Sequence, residues 1–217
     1  MLLVGDSMSR EVVTVSPETT AMEALGLCRE WRIRHLPVID GEQLVGIVSD
    51  RDLRSATPAL GDPDRASALQ RIRALEVMTR EPVTAHPDDP VESAANAMRE
   101  RWIGCLPVVE DDTLLGIITS SDVMEALVYL VGAHEPGSRL EVVVPDHPGT
   151  LAGAAGIFGE LGINIVSVAM GARREEMPDG SPGRAVVFRV DTVNPGRAAE
   201  VLEQAGYRVL WPPVAPV

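Results

Sequence analysis

The chain contains an internal repeat, and this repeat constrains the fold more than any other feature of the sequence. Residues 8–54 align with residues 78–124 at a constant offset of 70 positions and without a gap. The recurring residues include Met8 and Met78, Leu36 and Leu106, Gly46 and Gly116, and Asp52 and Asp122. Two copies are too few for a solenoid, which usually needs three or more units. We therefore predict a pseudo-symmetric pair whose halves bury each other's apolar faces, with ligand clefts between them.

Each repeat is predicted to begin with a short strand and a helix. Extended stretches at 12–15 and 82–85 end at a turn that contains proline. Helical patterns follow at 18–32 and 88–102, where apolar residues recur at helical spacing.

A hairpin and a second helix complete each repeat. Two short apolar runs separated by acidic turn residues predict the hairpins, at 36–48 and at 106–118. The second helices begin after Ser49 and Thr119. Between the repeats, we expect an exposed connection at 55–66 and a helix at 67–76.

The strand-to-helix junction of each repeat is the best candidate binding site. It reads G-x-x-[S/T]-x-x-D, from Gly46 to Asp52 and from Gly116 to Asp122. A glycine near the end of a strand lets a ligand approach the backbone, and a hydroxyl at a helix start favours phosphate. An aspartate one turn later can accept both hydroxyls of a ribose. The same spacing also describes a helix N-cap with a capping-box partner, so the residues alone leave nucleotide binding and capping both open.

The two repeats resemble paired CBS domains, a Bateman module. The resemblance rests on an M-x-x-x-x-V-T opening, an L-P-V strand and the G-x-x-[S/T]-x-x-D junction, all present twice within residues 8–130. It implies a pseudo-symmetric pair that binds adenosine-type ligands, such as AMP, ATP or S-adenosylmethionine, with hydroxyls facing phosphate and aspartates holding ribose. It places Thr14, Ser49 and Asp52 in one cleft and Thr84, Thr119 and Asp122 in the other, together with Pro37 and Pro107 of the L-P-V strands.

The two copies differ in charge beside the junction. The first has Arg34, His35 and Arg51 where the second has Gly104, Cys105 and Ser121. In a chain with a formal net charge of −13, an anionic phosphate needs local arginine, whose forked donors suit phosphate oxygens. We therefore expect the first cleft to take a phosphorylated nucleotide, and the second to take a less charged adenosine derivative or to stay empty.

Each of these charged residues also has a purely structural interpretation. Arg34 and Arg51 can form surface ion pairs with Asp50 or Glu30. His35 can be a histidine satisfied beside a strand rather than a pH-sensitive ligand contact. Both alternatives stay open at the level of the sequence.

From Arg139 the sequence pattern changes to that of a second type of domain. Strands are predicted at 140–144, 163–170, 185–191 and 207–211, helices at 150–161 and 196–205, and a loop at 171–183. This βαββαβ order is the ferredoxin-like split motif. The predicted fold class is therefore α+β, with two CBS-type units packed as a pseudo-two-fold pair and a C-terminal ferredoxin-like domain.

This C-terminal segment resembles an ACT domain over residues 138–211. A D-x-P-G-x-L turn at 146–151 and a G-x-N-I strand entry at 162–165 carry the resemblance. ACT domains commonly bind amino acids or similar small effectors, which implies effector-binding roles for Asp146, Gly149, Leu151, Asn164 and Ile165. Alternatively, Gly149 only shapes the turn and Asn164 only caps the strand entry. ACT domains also frequently serve only to pair chains.

Composition and motifs argue against catalysis, metal binding and nucleic-acid binding. All 19 basic residues are arginine, which excludes chemistry that needs a lysine amine. Neither a catalytic triad nor a paired-carboxylate motif can be singled out, and the four histidines lack metal-ligand spacing. The acidic net charge repels nucleic-acid backbones. Cys28 and Cys105 are interpreted as small buried hydrophobes.

These observations predict a regulatory or sensor protein rather than an enzyme. The expected domains are a CBS unit at 1–60, a linker and helix at 61–76, a second CBS unit at 77–133 and an ACT domain at 138–212. The expected ligands are an adenine nucleotide, as a regulatory ligand and not a cofactor, and an amino acid or similar effector. This domain order resembles the AcuB-type family of acetoin-utilization proteins.

We further expect a cytoplasmic homodimer that regulates an unidentified protein. No run of the sequence approaches the roughly 20 apolar residues that a membrane helix needs, and the first residues lack a signal-peptide pattern, so no membrane partner is expected. The alternative function is a dimerisation scaffold that binds no ligand.

Overall fold

The computed structural model describes residues 2–59 and 61–213, and the chain separates into two compact units, one up to Ala126 and one from Leu127. Helices and strands are mixed in both units, which confirms the predicted α+β class. Across the described ranges, every helix is too short or too polar to cross a lipid bilayer.

The first unit contains both repeats, whose equivalent elements follow the offset of the sequence. The first repeat comprises α1 (Val4–Ser7), α2 (Ala21–Glu30), β1 (His35–Asp40), β2 (Gln43–Ser49) and α3 (Asp50–Ser55). The connection contains α4 (Arg65–Arg71). The second repeat comprises α5 (Ala74–Val77), β3 (Thr79–Arg80), α6 (Val91–Arg101), β4 (Cys105–Glu110), β5 (Thr113–Thr119) and α7 (Ser120–Leu130). The predicted order of helix, hairpin and second helix is confirmed in each repeat.

The two hairpins have the same register. β1 pairs antiparallel with β2 from His35 opposite Ser49, and β4 pairs with β5 from Cys105 opposite Thr119. The first hairpin turns through Gly41 at a φ of 63°, in the left-handed region that glycine adopts without a steric penalty. The shared register places the same strand position at the helix start in each repeat.

Local capping shifts the first helices from their predicted starts. Thr20 accepts a hydrogen bond from the Glu23 amide at 3.2 Å, and the Glu23 carboxylate accepts one from the Thr20 amide at 2.9 Å. This capping box begins α2 at Ala21 rather than at residue 18, because the Thr19 amide is already bonded to the Ser16 carbonyl in a turn.

Two other elements are shorter than predicted. The extended stretches at 12–15 and 82–85 join a sheet through a single bridge each, Val15 to Val38 and Ala85 to Val108. The helix predicted at 67–76 is interrupted, because Ile72 adopts an extended conformation between α4 and α5.

The opening segments of the two repeats are exchanged. α1 and the residue after it contribute Val4 and Met8 to the core of the second repeat, while Ala74 of α5 belongs to the core of the first. The adjoining backbone follows the same crossed path: Ser9 and Ile117 exchange two hydrogen bonds of 2.9 and 3.0 Å, and β3 pairs with β2. Each core is thus completed by the other repeat, which confirms the mutual burial that the sequence predicted.

The glycine of each junction packs against the exchanged segment. A Cβ atom at Gly46 would lie 2.6 Å from the sulfur of Met78, and one at Gly116 would lie 2.5 Å from the sulfur of Met8. The Ser9 carbonyl oxygen would be only 2.8 Å from the same Cβ at Gly116. These glycines therefore make room for a methionine of the other repeat, and the expectation that they admit a ligand is wrong.

The second unit has the predicted ferredoxin-like order. Its elements are β6 (Ser138–Pro145), α8 (Thr150–Glu160), β7 (Ile165–Glu176), β8 (Pro182–Val190), α9 (Gly196–Gln204) and β9 (Arg208–Trp211). The antiparallel sheet has the order β7-β8-β6-β9, and Phe158 of α8 packs on Phe188 of β8 with ring centroids 5.0 Å apart. Alternate residues of β6, such as Leu140 and Val142, complete this core.

The loop predicted at 171–183 is wrong for most of its length. β7 continues to Glu176 and β8 begins at Pro182, so the connection is a short turn closed by a hydrogen bond from the Met177 amide to the Ser181 carbonyl at 2.9 Å. The charged and glycine-rich composition suggested a loop. Because backbone pairing makes the hairpin, polar side chains do not prevent it.

Candidate functional site

The first unit contains a cleft of about 1000 Å³, here called cleft 1. It is lined by the end of β2 and the start of α3, by residues 79 and 81–83 after α5, and by residues 102–105 at the end of α6 and the start of β4. The residues that matter below are Arg34, His35, Ser49, Arg51, Asp52 and Trp102. Both repeats therefore build cleft 1, as the sequence predicted for a ligand site between halves.

The junction residues of both repeats form helix caps. The Asp52 carboxylate accepts hydrogen bonds through Oδ2 from the amide and hydroxyl of Ser49, at 3.0 and 2.6 Å, and the Asp52 amide donates to the Ser49 hydroxyl at 3.2 Å. Asp122 caps α7 in the same way, accepting from the amide and hydroxyl of Thr119 at 2.7 and 2.8 Å. The capping interpretation is thus correct for both repeats.

Capping leaves part of each aspartate available. All of the hydrogen bonds to each carboxylate use Oδ2, and among the described residues Oδ1 of Asp52 and Oδ1 of Asp122 accept none. A carboxylate offers two oxygens and about four lone-pair sites. The cap therefore holds the aspartate in place while one oxygen remains free to accept a hydroxyl.

Arg34 and Arg51 line cleft 1 without an acidic partner. Neither forms an ion pair with any of the described residues, and Asp50 is instead paired with Arg54 at 3.5 Å. The Asp50 amide donates to the Arg34 carbonyl at 2.9 Å, which ties the Arg34 segment to the start of α3. The ion pairs considered for these two arginines are absent, and two guanidinium groups remain for an anion in an acidic chain.

His35 lies against the second repeat. A Cβ atom at Gly104 would lie 3.4 Å from Cε1 and 3.5 Å from Nε2 of the His35 ring. Burial lowers the pKa of this imidazole, and the positive charge of Arg34 lowers it further, although Asp50 and Asp52 act in the opposite direction. The free protein therefore favours the neutral imidazole at this position.

A smaller cleft of about 310 Å³, here called cleft 2, lies at the equivalent place of the second repeat, beside its strand-to-helix junction. Its lining includes Thr119 and Asp122 of the second junction and residues 9 and 11–13 of the first repeat. Arg34 and His35 also line it, together with Arg32. The two clefts thus share one wall, whereas the sequence predicted Arg34 and His35 in the first cleft alone.

The other predicted nucleotide-binding residues divide between the clefts and the rest of the fold. Ser49, Arg51, Asp52 and Pro107 line cleft 1, and Thr119 and Asp122 line cleft 2. Thr14 and Thr84 are exposed and Pro37 is buried, and all three lie outside the two linings. The opening segments cross to the other repeat, so Thr79 and Val83 lie in the cleft that contains Asp52.

The sequence did not predict two of the lining residues, one in each repeat, which follow the first long helix of that repeat. Arg32 lines cleft 2 and Trp102 lines cleft 1. They occupy the same position of the repeat, and both have left-handed backbones, with φ of 54° and 57°. The constant offset of the repeat was a signal that could have paired them.

The five residues predicted to bind an effector do not line any of the clefts described in this structure. Leu151 and Ile165 pack on the core of the second unit, and Asp146 is 3.5 Å from Arg184 in an ion pair. Gly149 adopts a φ of 88° before α8, which supports its role in shaping the turn. The main-chain carbonyl of Asn164 accepts a hydrogen bond from the Asp191 amide at 2.9 Å, so the role of the Asn164 side chain stays a prediction.

The described cleft of the second unit, about 470 Å³, lies at its β7–β8 hairpin and is lined by residues that include Arg174, Pro182 and Arg208. Within residues 2–59 and 61–213, His, Cys, Asp and Glu side chains nowhere gather in groups of three that could hold a metal ion. Cys28 and Cys105 are buried free thiols, and burial raises their pKa values to about 11 and about 12.

Comparison with known families matches both parts of the chain. The model of the CBS domain matches residues 4–58 and 74–129, and the model of the ACT domain matches residues 138–206. An acetoin utilization protein (AcuB) from Vibrio cholerae, with a solved structure, is 34% identical, with a TM-score of 0.53, over 63% of this chain and 99% of its own.

Two other similar structures contain bound adenosine compounds. The CBS domain pair of protein MJ0100, in complex with 5′-methylthioadenosine and S-adenosyl-L-methionine, is 31% identical, with a TM-score of 0.51, over 62% of this chain and 99% of its own. CBSX2 in complex with AMP is 30% identical, with a TM-score of 0.53, over 60% of this chain and 99% of its own. Relatives also include an enzyme, the inosine-5′-monophosphate dehydrogenase of Methanocaldococcus jannaschii, which is 29% identical, but the match spans only 41% of its length.

Proposed function

Because the chain belongs to the CBS domain family and carries an ACT domain after the CBS pair, we propose that it is a regulatory protein that binds a phosphorylated adenosine ligand in cleft 1. One observation carries this proposal: Arg34 and Arg51 line the cleft without an ion-pair partner among the described residues, next to the Ser49–Asp52 cap. Unpaired arginines in an acidic chain are suited to an anion.

Each group in the cleft has a chemical role in this proposal. The guanidinium groups of Arg34 and Arg51 hold the phosphate, because arginine donates two parallel hydrogen bonds to phosphate oxygens. Oδ1 of Asp52 accepts ribose hydroxyls while Oδ2 keeps the helix cap. The apolar side chains of Ile47, Val83 and Ile103 line the same cleft and offer a surface for a base.

The related structures support an adenosine ligand for this chain, but their ligands differ in whether they carry a phosphate. The similar CBS pairs bind AMP, 5′-methylthioadenosine and S-adenosyl-L-methionine. AMP carries a phosphate, whereas the other two ligands do not. The arginines of cleft 1 therefore favour AMP or ATP over the sulfur-containing adenosine compounds in this chain.

Ligand binding regulates by shifting a conformational equilibrium. A ligand that contacts both repeats, as cleft 1 allows, stabilises the arrangement of the repeats to which it binds better. The proposal assigns no catalytic step. Homodimer formation, a cytoplasmic location, an amino-acid effector for the ACT domain and a role in acetoin utilization belong to the same proposal as finer predictions.

The direct test is calorimetric titration of the protein with AMP and with adenosine, using Arg51→Ala and a control variant. Arg51→Ala should raise the Kd for AMP by about tenfold or more and change that for adenosine by less than about twofold, because only AMP presents a phosphate. Arg29→Ala is the control, since Arg29 lies at the end of α2 outside both cleft linings. Equal AMP affinity in wild type and Arg51→Ala would contradict the phosphate role. No binding of AMP, ATP or S-adenosylmethionine would favour the dimerisation scaffold.

A further inference from the structure

Trp102 stands at the wall of cleft 1 with almost its whole side chain in solvent. The residue is 95% exposed, the most exposed of the three tryptophans in the structure. It nonetheless lines cleft 1, beside Ile103, Gly104 and Val83. Packing in the protein core therefore does not explain an indole at this position.

The backbone at Trp102 is well defined. Trp102 ends α6 in the left-handed conformation, with φ 57° and ψ 36°, and its amide donates to the Met98 carbonyl. The next amide, of Ile103, donates to the same carbonyl at 3.0 Å. Glycine is the usual residue at such a helix end, because bulky side chains rarely adopt this conformation. The backbone therefore fixes the point at the rim of the cleft from which the Trp102 side chain extends.

The equivalent position of the first repeat provides an internal comparison. Arg32 has nearly the same backbone conformation, with φ 54°, and lines cleft 2. The apolar walls beside them correspond: Ile47, Val83 and Ile103 in cleft 1 match Ile117, Val13 and Ile33 in cleft 2. The two clefts therefore share their aliphatic surface but differ at this position, which is an indole in cleft 1 and a guanidinium in cleft 2; the tryptophan that lines cleft 2, Trp31, comes one residue earlier.

We infer that Trp102 is a specificity-determining residue that stacks on the purine base of the ligand in cleft 1. This inference rests on the proposed function and deepens it, because it names the residue of cleft 1 that contacts the base of the ligand. A base that covers the indole removes its apolar face from water, and base–aromatic stacking is a strong and geometrically tolerant contact. The phosphate is then held by Arg34 and Arg51, and the base by Trp102.

The test compares AMP with ribose 5-phosphate, which has the sugar and phosphate but no base. Trp102→Ala should raise the Kd for AMP by about 10- to 100-fold, the range expected for the loss of one stacked base. The same variant should leave the Kd for ribose 5-phosphate within about twofold. Trp102→Phe should restore most of the AMP affinity, because a phenyl ring also stacks. Trp31→Ala, which alters the lining of cleft 2, is the matched control and should bind AMP like the wild type.

Fluorescence gives a second readout that does not depend on affinity. A stacked purine quenches the indole, so AMP should reduce tryptophan emission in Trp31→Phe and in Trp211→Phe but not in Trp102→Phe. Wild-type AMP affinity in Trp102→Ala, or equal losses of AMP and ribose 5-phosphate affinity, would overturn the stacking role and leave the proposed function intact. A wild-type protein that does not bind AMP at all would overturn both.

Discussion

Cleft 1 and cleft 2 occupy equivalent places in the two repeats, yet they differ in volume and in the positions of their arginines. Cleft 1 measures about 1000 Å³ and has Arg51 beside its aspartate, whereas cleft 2 measures about 310 Å³ and has Ser121 at that position. Arg34 and His35 belong to both linings. The two repeats thus share the caps, the hairpins and the exchanged segments, which form a common framework, whereas the residues that line the two clefts differ.

This common framework can be broken at the glycine of each junction, where we expect the largest effect. Gly116→Ala places a Cβ 2.8 Å from the Ser9 carbonyl oxygen, a backbone atom that cannot rotate away. We expect it to lower the free energy of unfolding by about 1–3 kcal/mol, as overpacked cores do. Gly46→Ala should cost less, because the nearest backbone atom to its Cβ, the Thr79 carbonyl oxygen, would be 3.0 Å away rather than 2.8 Å. Chemical denaturation of both variants measures the difference.

Gly26→Ala is the matched control for this pair. Gly26 lies in α2, and a Cβ there would have no heavy atom within 4 Å. Alanine is the better helix former, so this variant should be as stable as the wild type or slightly more stable. If Gly116→Ala were equally stable, the exchanged segment would not pack as the structure shows.

A second prediction converts cleft 2 toward cleft 1. Ser121→Arg gives cleft 2 the arginine that Arg51 supplies in cleft 1, so AMP should bind there about tenfold more tightly than in the wild type. Calorimetry should then detect a second equivalent of AMP per chain. Ser121→Ala, which adds no charge, should keep the wild-type stoichiometry. A single equivalent in Ser121→Arg would show that the size of cleft 2, rather than its charge, limits binding.

The smallest expected effect concerns His35, whose equivalent in the second repeat is Cys105. Burial and Arg34 lower the pKa of His35 in the folded protein, so the unfolded chain binds its proton at a higher pH. Stability should therefore fall as the pH drops from about 7 through the folded-state pKa of His35, and it should recover as the pH rises.

Denaturation of wild type and His35→Gln between about pH 5 and pH 8 isolates this contribution, since glutamine does not titrate. As the pH falls through this range, the wild type should lose more unfolding free energy than His35→Gln does. Burial raises the pKa of Cys105 to about 12, so the equivalent thiol adds no pH dependence in the same window. A constant difference between the two proteins would contradict the depressed pKa.

The sequence predicted the parts of the fold that depend on local patterns. The offset of 70 located both hairpins, and strand and helix patterns gave the βαββαβ order of the second unit. The Ser49 and Thr119 caps were one of the two interpretations that the junction motif left open. These features depend on neighbouring residues, such as Asp52 three positions after Ser49, so a single sequence contains enough information to find them.

Features that depend on distant partners could not be read from the same patterns. The apolar character of Val4 and Met8 shows that they are buried but not in which repeat, so the exchange of segments was not predicted. That exchange brings Thr79 rather than Thr14 to cleft 1, and packing of His35 against Gly104 places one wall between both clefts. The β7–β8 hairpin was missed because charged residues such as Arg174 and Glu176 pair through their backbones.

The central prediction is that the two clefts do not bind AMP equally, and one pair of variants tests it directly. Asp52→Ala and Asp122→Ala remove the same carboxylate and the same helix cap from cleft 1 and cleft 2, so their structural costs match. Equilibrium dialysis should show one tight AMP per chain in the wild type and in Asp122→Ala, and a loss of about tenfold or more in affinity in Asp52→Ala. Equal losses in the two variants, or a loss confined to Asp122→Ala, would contradict the account.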